Sequence, residues 1–241
     1  MDIYLSHSSS LTFWSSFEIS SGALARCQDS RSPSWRKDEP LPSECKVTEL
    51  LIRELARMPE LEGIALPLHV IVPSQAARSR CGKVACHVSS AMFPRGSFVR
   101  IARNVLASSP ELCFVQMANV LGLEKLIALG FELCGTYDTW CDEIRECAPL
   151  TTVERLRAFT ENVGSVHGRK KAARALQYVM GDSASPRETA LAMLLCLPYR
   201  FGRVRHRGSS LELPNRPGAE RAPPRGQEVS RLRFVLAVRQ A

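Results

Sequence analysis

The sequence has no run of apolar residues that approaches the roughly 18–20 needed to cross a lipid bilayer. Its first ten residues, MDIYLSHSSS, carry an acid where a secretory signal carries basic residues, and no long apolar core follows. We therefore expect a cytoplasmic protein with no membrane partner. Since 45% of the 241 residues are hydrophobic, the chain can bury a sizeable core, which excludes a wholly disordered protein.

The common nucleotide-binding and nucleophile motifs are also missing. The sequence contains neither Gly-x-Gly-x-x-Gly nor a Walker pattern, so nothing marks a phosphate-binding loop. It has no Gly-x-Ser-x-Gly elbow, and its five histidines are scattered. His7 stands among serines in LSHSSS, which resembles a serine–histidine pair, but helix capping by those serines explains the pattern without catalysis. We expect neither a nucleotide-driven enzyme nor covalent catalysis, and we interpret His7 as structural.

Cysteine, by contrast, is abundant, with nine in the chain. Without a secretory signal, disulfides have no oxidising compartment, and several cysteines fall within apolar patterns where a free thiol packs as a small hydrophobe. The two clusters are Cys81-x4-Cys86-His87 and Cys134-x6-Cys141-x5-Cys147. Both lack the paired Cys-x2-Cys knuckles that indicate a zinc site. Buried free thiols are therefore the expected state, and no metal ligands are predicted.

The net charge of +8 is concentrated at one end of the chain. Residues 201–241 contain nine arginines, no lysine, three glutamates and no aspartate, which gives this segment a net charge of +6. Residues 1–200 therefore carry only +2. The body of the protein is nearly neutral, and its net charge gives no reason to expect binding to nucleic acid.

The apolar pattern predicts an α+β fold, with strands before about residue 109 and helices after it. Short strands are expected at Leu68–Val72, Lys83–Val88 and Ser97–Ile101. Ser109, Pro110 and Glu111 then provide an N-cap, a first-turn proline and a first-turn acid for a long helix. This helix runs toward Leu133 and is expected to break near Gly122.

Two further helices are predicted between residues 151 and 180. Thr151 and Glu154 form a capping box that starts the first. The second, over Gly168–Met180, is basic and amphipathic. Its cations are Arg169, Lys170, Lys171 and Arg174. In a DNA-associated protein these side chains would bind phosphates. The alternative is a solvated face opposite an apolar one, and the residues alone favour this second interpretation.

The last predicted helix begins at Ser185-Pro186-Arg187-Glu188 and contains the apolar run TALAMLLCL. Glu188 fits a capping box in which its carboxylate binds the Ser185 amide. The segment SASPRETALAMLLCLPYR also resembles the start of the very-short-patch-repair-type endonuclease domain, a restriction-endonuclease-like fold of the PD-(D/E)XK superfamily. A group of coriobacterial and actinobacterial proteins joins this domain to an AbiEi-antitoxin-like N-terminal region. Other segments here resemble that group: DIYLSHSSSLTFW, LHVIVPS, GSFVRI, SPELCFVQMA, GFELCGTY and PLTTVERL.

The resemblance covers about residues 1–201 and implies metal-assisted cleavage of DNA, with carboxylates that hold a divalent ion such as Mg²⁺. Glu188 matches the first acidic position of the family. Further acids would lie in segments like CDLFWP and AVEYDS, and neither segment is present. Shifted by one base, Arg231–Ala237 can encode Val-Cys-Asp-Leu-Phe-Trp-Pro. We therefore interpret residues 201–241 as a disordered basic tail translated out of frame, with a flexible DNA-binding arm as the alternative.

These observations predict four regions. They are a strand-bearing N-terminal region (1–108), a helical region (109–182), the first helix of an incomplete endonuclease-like domain (183–200) and the tail (201–241). The predicted function is that of a truncated, non-catalytic remnant of a metal-dependent DNA endonuclease-like protein. The alternative is an antitoxin-like or DNA-binding regulatory module, with DNA, a toxin or another protein as partner. Apolar residues of Thr189–Leu197 should be exposed, because the sheet that would cover them is missing.

Overall fold

The computed structural model describes residues 2–16, 38–39, 41, 47, 49, 52–53, 65–102, 104–138 and 145–197. Helices and mixed β-sheet both occur in this part, so the predicted α+β class is confirmed. The strands are β1 (Ile3–Leu5), β2 (Asp38–Glu39), β3 (Leu68–Val72), β4 (Val84–Val88), β5 (Phe93–Pro94), β6 (Phe98–Ala102), β7 (Val105–Ser108), β8 (Tyr137–Asp138) and β9 (Arg145–Glu146). The helices are α1 (His7–Ser16), α2 (Pro110–Met117), α3 (Leu123–Cys134), α4 (Val153–Asn162), α5 (Arg169–Ala175) and α6 (Pro186–Cys196).

The largest sheet has five strands in the order β4-β3-β1-β7-β6, so the first strand of the chain lies at its centre. β1 runs antiparallel to β3, with Leu5 opposite Val70, and parallel to β7, with Ile3 opposite Val105. β3 and β4 are parallel, whereas β6 and β7 form an antiparallel hairpin. β2 pairs with β5 and β8 with β9 in two small ladders.

Apolar residues cover both faces of the five-stranded sheet, because successive side chains of a strand point to opposite faces. One face contributes to a cluster with Leu5, Val70 and Val105 at its centre. Ile71, on the other face, joins a larger cluster that includes Phe114 and Phe131 of the helices. The cluster that contains Phe114 and Phe131 therefore lies on this second face of the sheet.

Helix α1 connects the two clusters. Leu11 belongs to the helical cluster, whereas Phe13 and Trp14 belong to the cluster on the opposite face of the sheet. The indole N–H of Trp14 donates to the Ser108 carbonyl oxygen at 2.8 Å, at the end of β7. Because this helix is buried on several sides, its position fixes the sheet relative to the helical layer.

The start of the helical layer agrees with the sequence signals. The Ser109 side chain accepts from the Leu112 amide, Pro110 stands in the first turn, and α2 begins directly after β7. The predicted break near Gly122 is confirmed, since α2 ends at Met117 and α3 begins at Leu123.

Three helix boundaries differ from those predicted. The N-cap of α4 is Thr152, one residue later than expected, because the Thr151 hydroxyl donates instead to Glu111 Oε1 at 2.6 Å. The basic helix α5 ends at Ala175, well before Met180. Helix α1 already begins at His7, so Ser9 and Ser10 lie within it rather than at its cap. The predicted tail 201–241 and Cys141 lie outside the described residues.

Helix α6 is apolar but incompletely covered, as the sequence predicted. Leu191, Leu194 and Leu195 are 56%, 42% and 55% exposed. Thr189 and Leu197 are buried, because they face the rest of the protein. Among the helices that the structure describes, none combines the length and the apolar character needed to cross a membrane.

Gly130 should tolerate alanine poorly. A Cβ at this position would lie 2.6 Å from Val179 Cγ2 and 3.2 Å from Phe114 Cε2, and the branched valine has little freedom to move. We expect Gly130→Ala to lower the free energy of unfolding by about 1–2 kcal/mol, since overpacking outweighs the gain in helix propensity. Gly82→Ala, where no atom lies within 4 Å of the new Cβ, is the control. Denaturant unfolding measures both, and equal values would contradict the packing argument.

Candidate functional site

Glu188, the acidic residue singled out from the sequence, is part of a capping box at the start of α6. The Ser185 hydroxyl oxygen accepts from the Glu188 amide at 3.3 Å, and Glu188 Oε2 accepts from the Ala184 amide at 2.9 Å. The expected acceptor contact with the Ser185 amide was wrong by one residue. Ser185 is extended, with φ −158°, which brings the preceding amide within reach of the carboxylate.

A buried polar group supports this helix start. Thr189 Oγ1 lies 2.8 Å from the Tyr137 hydroxyl and 2.9 Å from Ser183 Oγ. Burial raises the pKa of Tyr137 to about 12, so its hydroxyl stays protonated and able to donate. These contacts attach α6 to β8, and they explain why Thr189 is buried while the next turn of the helix is not.

The four cations of α5 do not form one free surface. Arg169 donates from Nε to the Thr160 carbonyl oxygen at 2.8 Å and from Nη2 to the Glu161 carbonyl oxygen at 2.9 Å. Lys171 donates to the Leu121 carbonyl oxygen. Lys170 and Arg174 are exposed and have no hydrogen bond or ion pair with the described residues. Two of the four predicted DNA-binding residues, Arg169 and Lys171, therefore donate to carbonyl oxygens at or near the ends of other helices.

The structure brings together three histidines that are far apart in the sequence. His69 of β3 and His87 of β4 lie on the same face of the sheet, and His7 is the first residue of α1. The rings of His7 and His87 are stacked, with centroids 3.6 Å apart and planes inclined by 21°. His69 Nδ1 lies 2.9 Å from His87 Nε2. We call His7, His69 and His87 the histidine cluster.

Backbone hydrogen bonds hold this arrangement in place. The His7 amide donates to Gln116 Oε1 at 3.0 Å, which connects α1 to α2. The Ser6 amide donates to the His69 carbonyl oxygen at 2.9 Å, and the His69 amide donates to Ser9 Oγ at 2.9 Å. His7 itself has φ 49°, in the left-handed region that few residues other than glycine adopt. These contacts over-determine the position of His7 where β1 passes into α1.

The histidine cluster is electrically neutral at ordinary pH. Burial, together with repulsion from the positive charge that His87 or His69 would carry, lowers the pKa of His7 to about 3. Burial, followed by repulsion from His69 and Arg78, lowers the pKa of His87 to about 4. The pKa of His69 is lowered by burial. Neutral imidazoles can share hydrogen bonds and stack, but they cannot hold an anion by charge.

The serines around His7 do not support nucleophilic catalysis. Ser6 Oγ lies 3.1 Å from His7 Nδ1, yet Ser6 is fully buried and His7 is 6% exposed, so a substrate has no approach. Helix capping, the explanation drawn from the sequence, is wrong for Ser9 and Ser10. Ser9 Oγ accepts from the His69 amide, and Ser10 Oγ accepts from the Ser108 amide at 3.1 Å. These hydroxyls attach α1 to the sheet.

The cysteine pattern 81–86–87 does not converge on one point. Cys86 and His87 are neighbours on β4 and so point to opposite faces of the sheet. Cys86 Sγ accepts from the Ser79 amide at 3.2 Å. The six cysteines in the described part are free thiols. Within the same residues, no group of three or more His, Cys, Asp or Glu side chains is placed to hold a metal ion.

The sequence gives no local signal for the histidine cluster. Sixty-two residues separate His7 from His69, and only the strand pairing of β3 with β4 places His87 beside them. Comparisons with known proteins add no candidate site: the chain matches no protein-family model, and neither a curated protein nor a solved structure matches it.

The contacts of Arg169 predict a structural role that its neighbour on α5 does not share. Arg169→Ala should lower the free energy of unfolding by about 1 kcal/mol, because two carbonyl oxygens at the end of α4 lose a charged donor. Lys170→Ala should change it by less than about 0.5 kcal/mol, as for an unpaired surface cation. Chemical denaturation of the two variants decides this, and a larger loss for Lys170→Ala would refute the assignment.

Proposed function

We propose that this chain is a non-catalytic remnant of a metal-dependent DNA endonuclease-like protein, in which Glu188 stabilises a helix start. The observation that carries the proposal is the hydrogen bond from the Ala184 amide to Glu188 Oε2. A catalytic carboxylate must be free to bind a metal ion, whereas this one already accepts from an amide just before the start of α6. The family resemblance supplies the link to endonucleases, and the capping box supplies the non-catalytic role.

The residues at this site do not fit Mg²⁺. This ion takes six oxygen ligands in a near-octahedral arrangement, usually with one or two carboxylates and several waters. Two-metal or one-metal cleavage of a phosphodiester needs several acidic groups around the scissile bond. Glu188 is a single carboxylate held by a backbone amide, and residues 201–241 contain no aspartate. No catalytic step is therefore assigned to a metal ion in this chain.

A pair of substitutions at Glu188 separates the capping role from a metal-binding role. Glutamine keeps the capping-box acceptor and removes the charge, whereas alanine removes both. We expect no Mg²⁺-dependent nicking of plasmid DNA by the wild type or by either variant. Glu188→Ala should lower the free energy of unfolding by about 0.5–1 kcal/mol, and Glu188→Gln should leave it nearly unchanged.

The control is Glu161→Gln, an exposed glutamate on α4. Mg²⁺-dependent nicking that survives in Glu161→Gln and disappears in Glu188→Gln would overturn the non-catalytic proposal. Equal stability of Glu188→Ala and the wild type would instead overturn the capping role.

A second candidate function, a DNA-binding regulatory module, is favoured by one observation. Lys170 and Arg174 project from α5 as exposed cations with no partner among the described residues. Two such cations on one helix can neutralise two phosphates, and each phosphate contact releases counterions. This role requires no metal and is compatible with a capping role for Glu188.

The salt dependence of DNA binding tests this second candidate in the full chain. If Lys170 and Arg174 bind phosphates, the double variant Lys170→Ala/Arg174→Ala should reduce the log–log salt slope by about 1.8, since each contact contributes about 0.9. The control, Arg95→Ala/Arg187→Ala, removes two exposed arginines elsewhere and keeps the net charge equal. Equal slopes for the two double variants would exclude a phosphate-binding role for α5.

A further inference from the structure

The histidine cluster joins the outer strand of the sheet to the buried start of α1. β4 pairs with β3 and is the last strand of the five-stranded sheet in the described part of the chain. On its face, His87 stacks on His7 at 3.6 Å and meets His69 at 2.9 Å. His7 is in turn fixed by Gln116. Strand β4 is therefore held by its ladder of hydrogen bonds to β3, by the packing of Val84 in the core, and by this stack of rings.

The contact between His69 and His87 accommodates only one proton. His69 Nδ1 and His87 Nε2 are 2.9 Å apart, so one nitrogen must donate and the other must accept. If both rings were fully protonated, two N–H groups would face each other. The stacked ring of His7 is a third imidazole within contact distance. If two or three of these rings were protonated, their positive charges would lie closer together than the Debye length, so salt would screen their repulsion only weakly.

Among the described residues that face the cluster, none carries a negative charge that would compensate such charges. Helix α1, His7–Ser16, contains no acidic or basic residue other than His7, and β3 and β4 contain none besides His69 and His87. From α2, the cluster is faced by the amide of Gln116 and by Cys113, whose thiol donates to the His7 carbonyl oxygen. Glu111 of α2 instead accepts from Thr151 and pairs with Arg155. Arg78, before β4, adds a further positive charge.

One buried donor at this point is already without a partner. Gln116 is 3% exposed, and its Nε2 has no hydrogen-bond partner, because Oε1 is fixed by the His7 amide. A buried donor without an acceptor costs about 1–3 kcal/mol. Among the described residues, the start of α1 thus offers protonated imidazoles no additional acceptor. Separation of β4 from α1 would give water access to His7, which is only 6% exposed.

We propose that the histidine cluster is an acid-sensitive latch, which holds β4 on α1 while its three rings are neutral and releases this outer strand when they are protonated. Release exposes the unpaired edge of β3 and its apolar residues Val70 and Val72. An uncovered strand edge is a template for pairing with another chain, so the latch would couple acidification to association.

The direction of the pH dependence follows from the two states. Above about pH 6.5, histidines are neutral both when β4 is docked and when it is released, so the equilibrium between these states does not depend on their protons. Below that pH, histidines bind protons when β4 is released and stay neutral when it is docked. This difference persists until the pH approaches the lowered pKa values of the docked histidines. Between about pH 6 and 4, each histidine then raises the opening constant by up to tenfold per pH unit, so two histidines raise it by up to a hundredfold per pH unit.

Hydrogen exchange of the full chain, followed by mass spectrometry between pH 7.5 and 4.5, measures this opening. After correction for intrinsic exchange rates, amides of β4 should lose protection at least tenfold per pH unit below pH 6, while those of α3 stay protected. His87→Phe keeps an aromatic ring against His7 and removes one titrating group, so it should make this dependence shallower by up to tenfold per pH unit. His167→Phe, which changes an exposed histidine outside the cluster, should leave it intact.

Two results would overturn the proposal. One is a loss of protection in β4 no steeper than that in α3, and the other is an unchanged pH dependence in His87→Phe. Should His87→Phe not fold, the wild type still provides a test through the Cε1–H resonances of its histidines. The proposal requires that no resonance of His7 or His87 titrates with a midpoint above pH 5 in the folded protein. A midpoint near 6.5 for either residue would refute it.

Discussion

The fold depends on burying the start of α1 without leaving its polar groups unpaired. This helix packs in both hydrophobic clusters, and a buried donor or acceptor without a partner costs about 1–3 kcal/mol. The amide of His7 donates to Gln116, Ser9 accepts from the His69 amide, and Ser10 accepts from the Ser108 amide. Each of these bonds joins α1 to a different segment, so together they set the position of β3, β7 and α2 around it.

Signals that act over a few residues predicted the fold well. Alternating apolar residues marked the strand within Lys83–Val88, and the Ser109-Pro110-Glu111 run marked the start of α2. The break near Gly122 and the capping box of Glu188 follow from the same local chemistry. The predicted cap of α4 was wrong because a residue distant in sequence forms a hydrogen bond with the predicted capping side chain. Thr151 could cap α4, but Glu111 takes its hydroxyl, so Thr152 becomes the cap.

The candidate site was harder to predict, because its residues meet only through tertiary contacts. His7, His69 and His87 carry no common spacing, and each alone fits a structural histidine on an apolar pattern. Their juxtaposition needs the β1–β3 and β3–β4 pairings together with the position of α1. Conversely, the residues that did stand out in the sequence, Glu188 and Arg169, turn out to bind backbone groups at helix ends. Charged residues at such ends resemble functional clusters in sequence, since both place several polar groups within one or two turns.

The central position of β1 has a consequence for how the protein is made. Residues 2–16 leave the ribosome before β7 and α2 do, and β1 cannot pair with β7, nor α1 meet Gln116, until about a hundred further residues have been added. At about 5–20 residues per second, this interval lasts on the order of 5–20 seconds. During that time the segment LSHSSSLTFW has neither its sheet nor its helical layer. The order of synthesis therefore delays completion of the sheet, and β1 and α1 must stay soluble until their partners emerge.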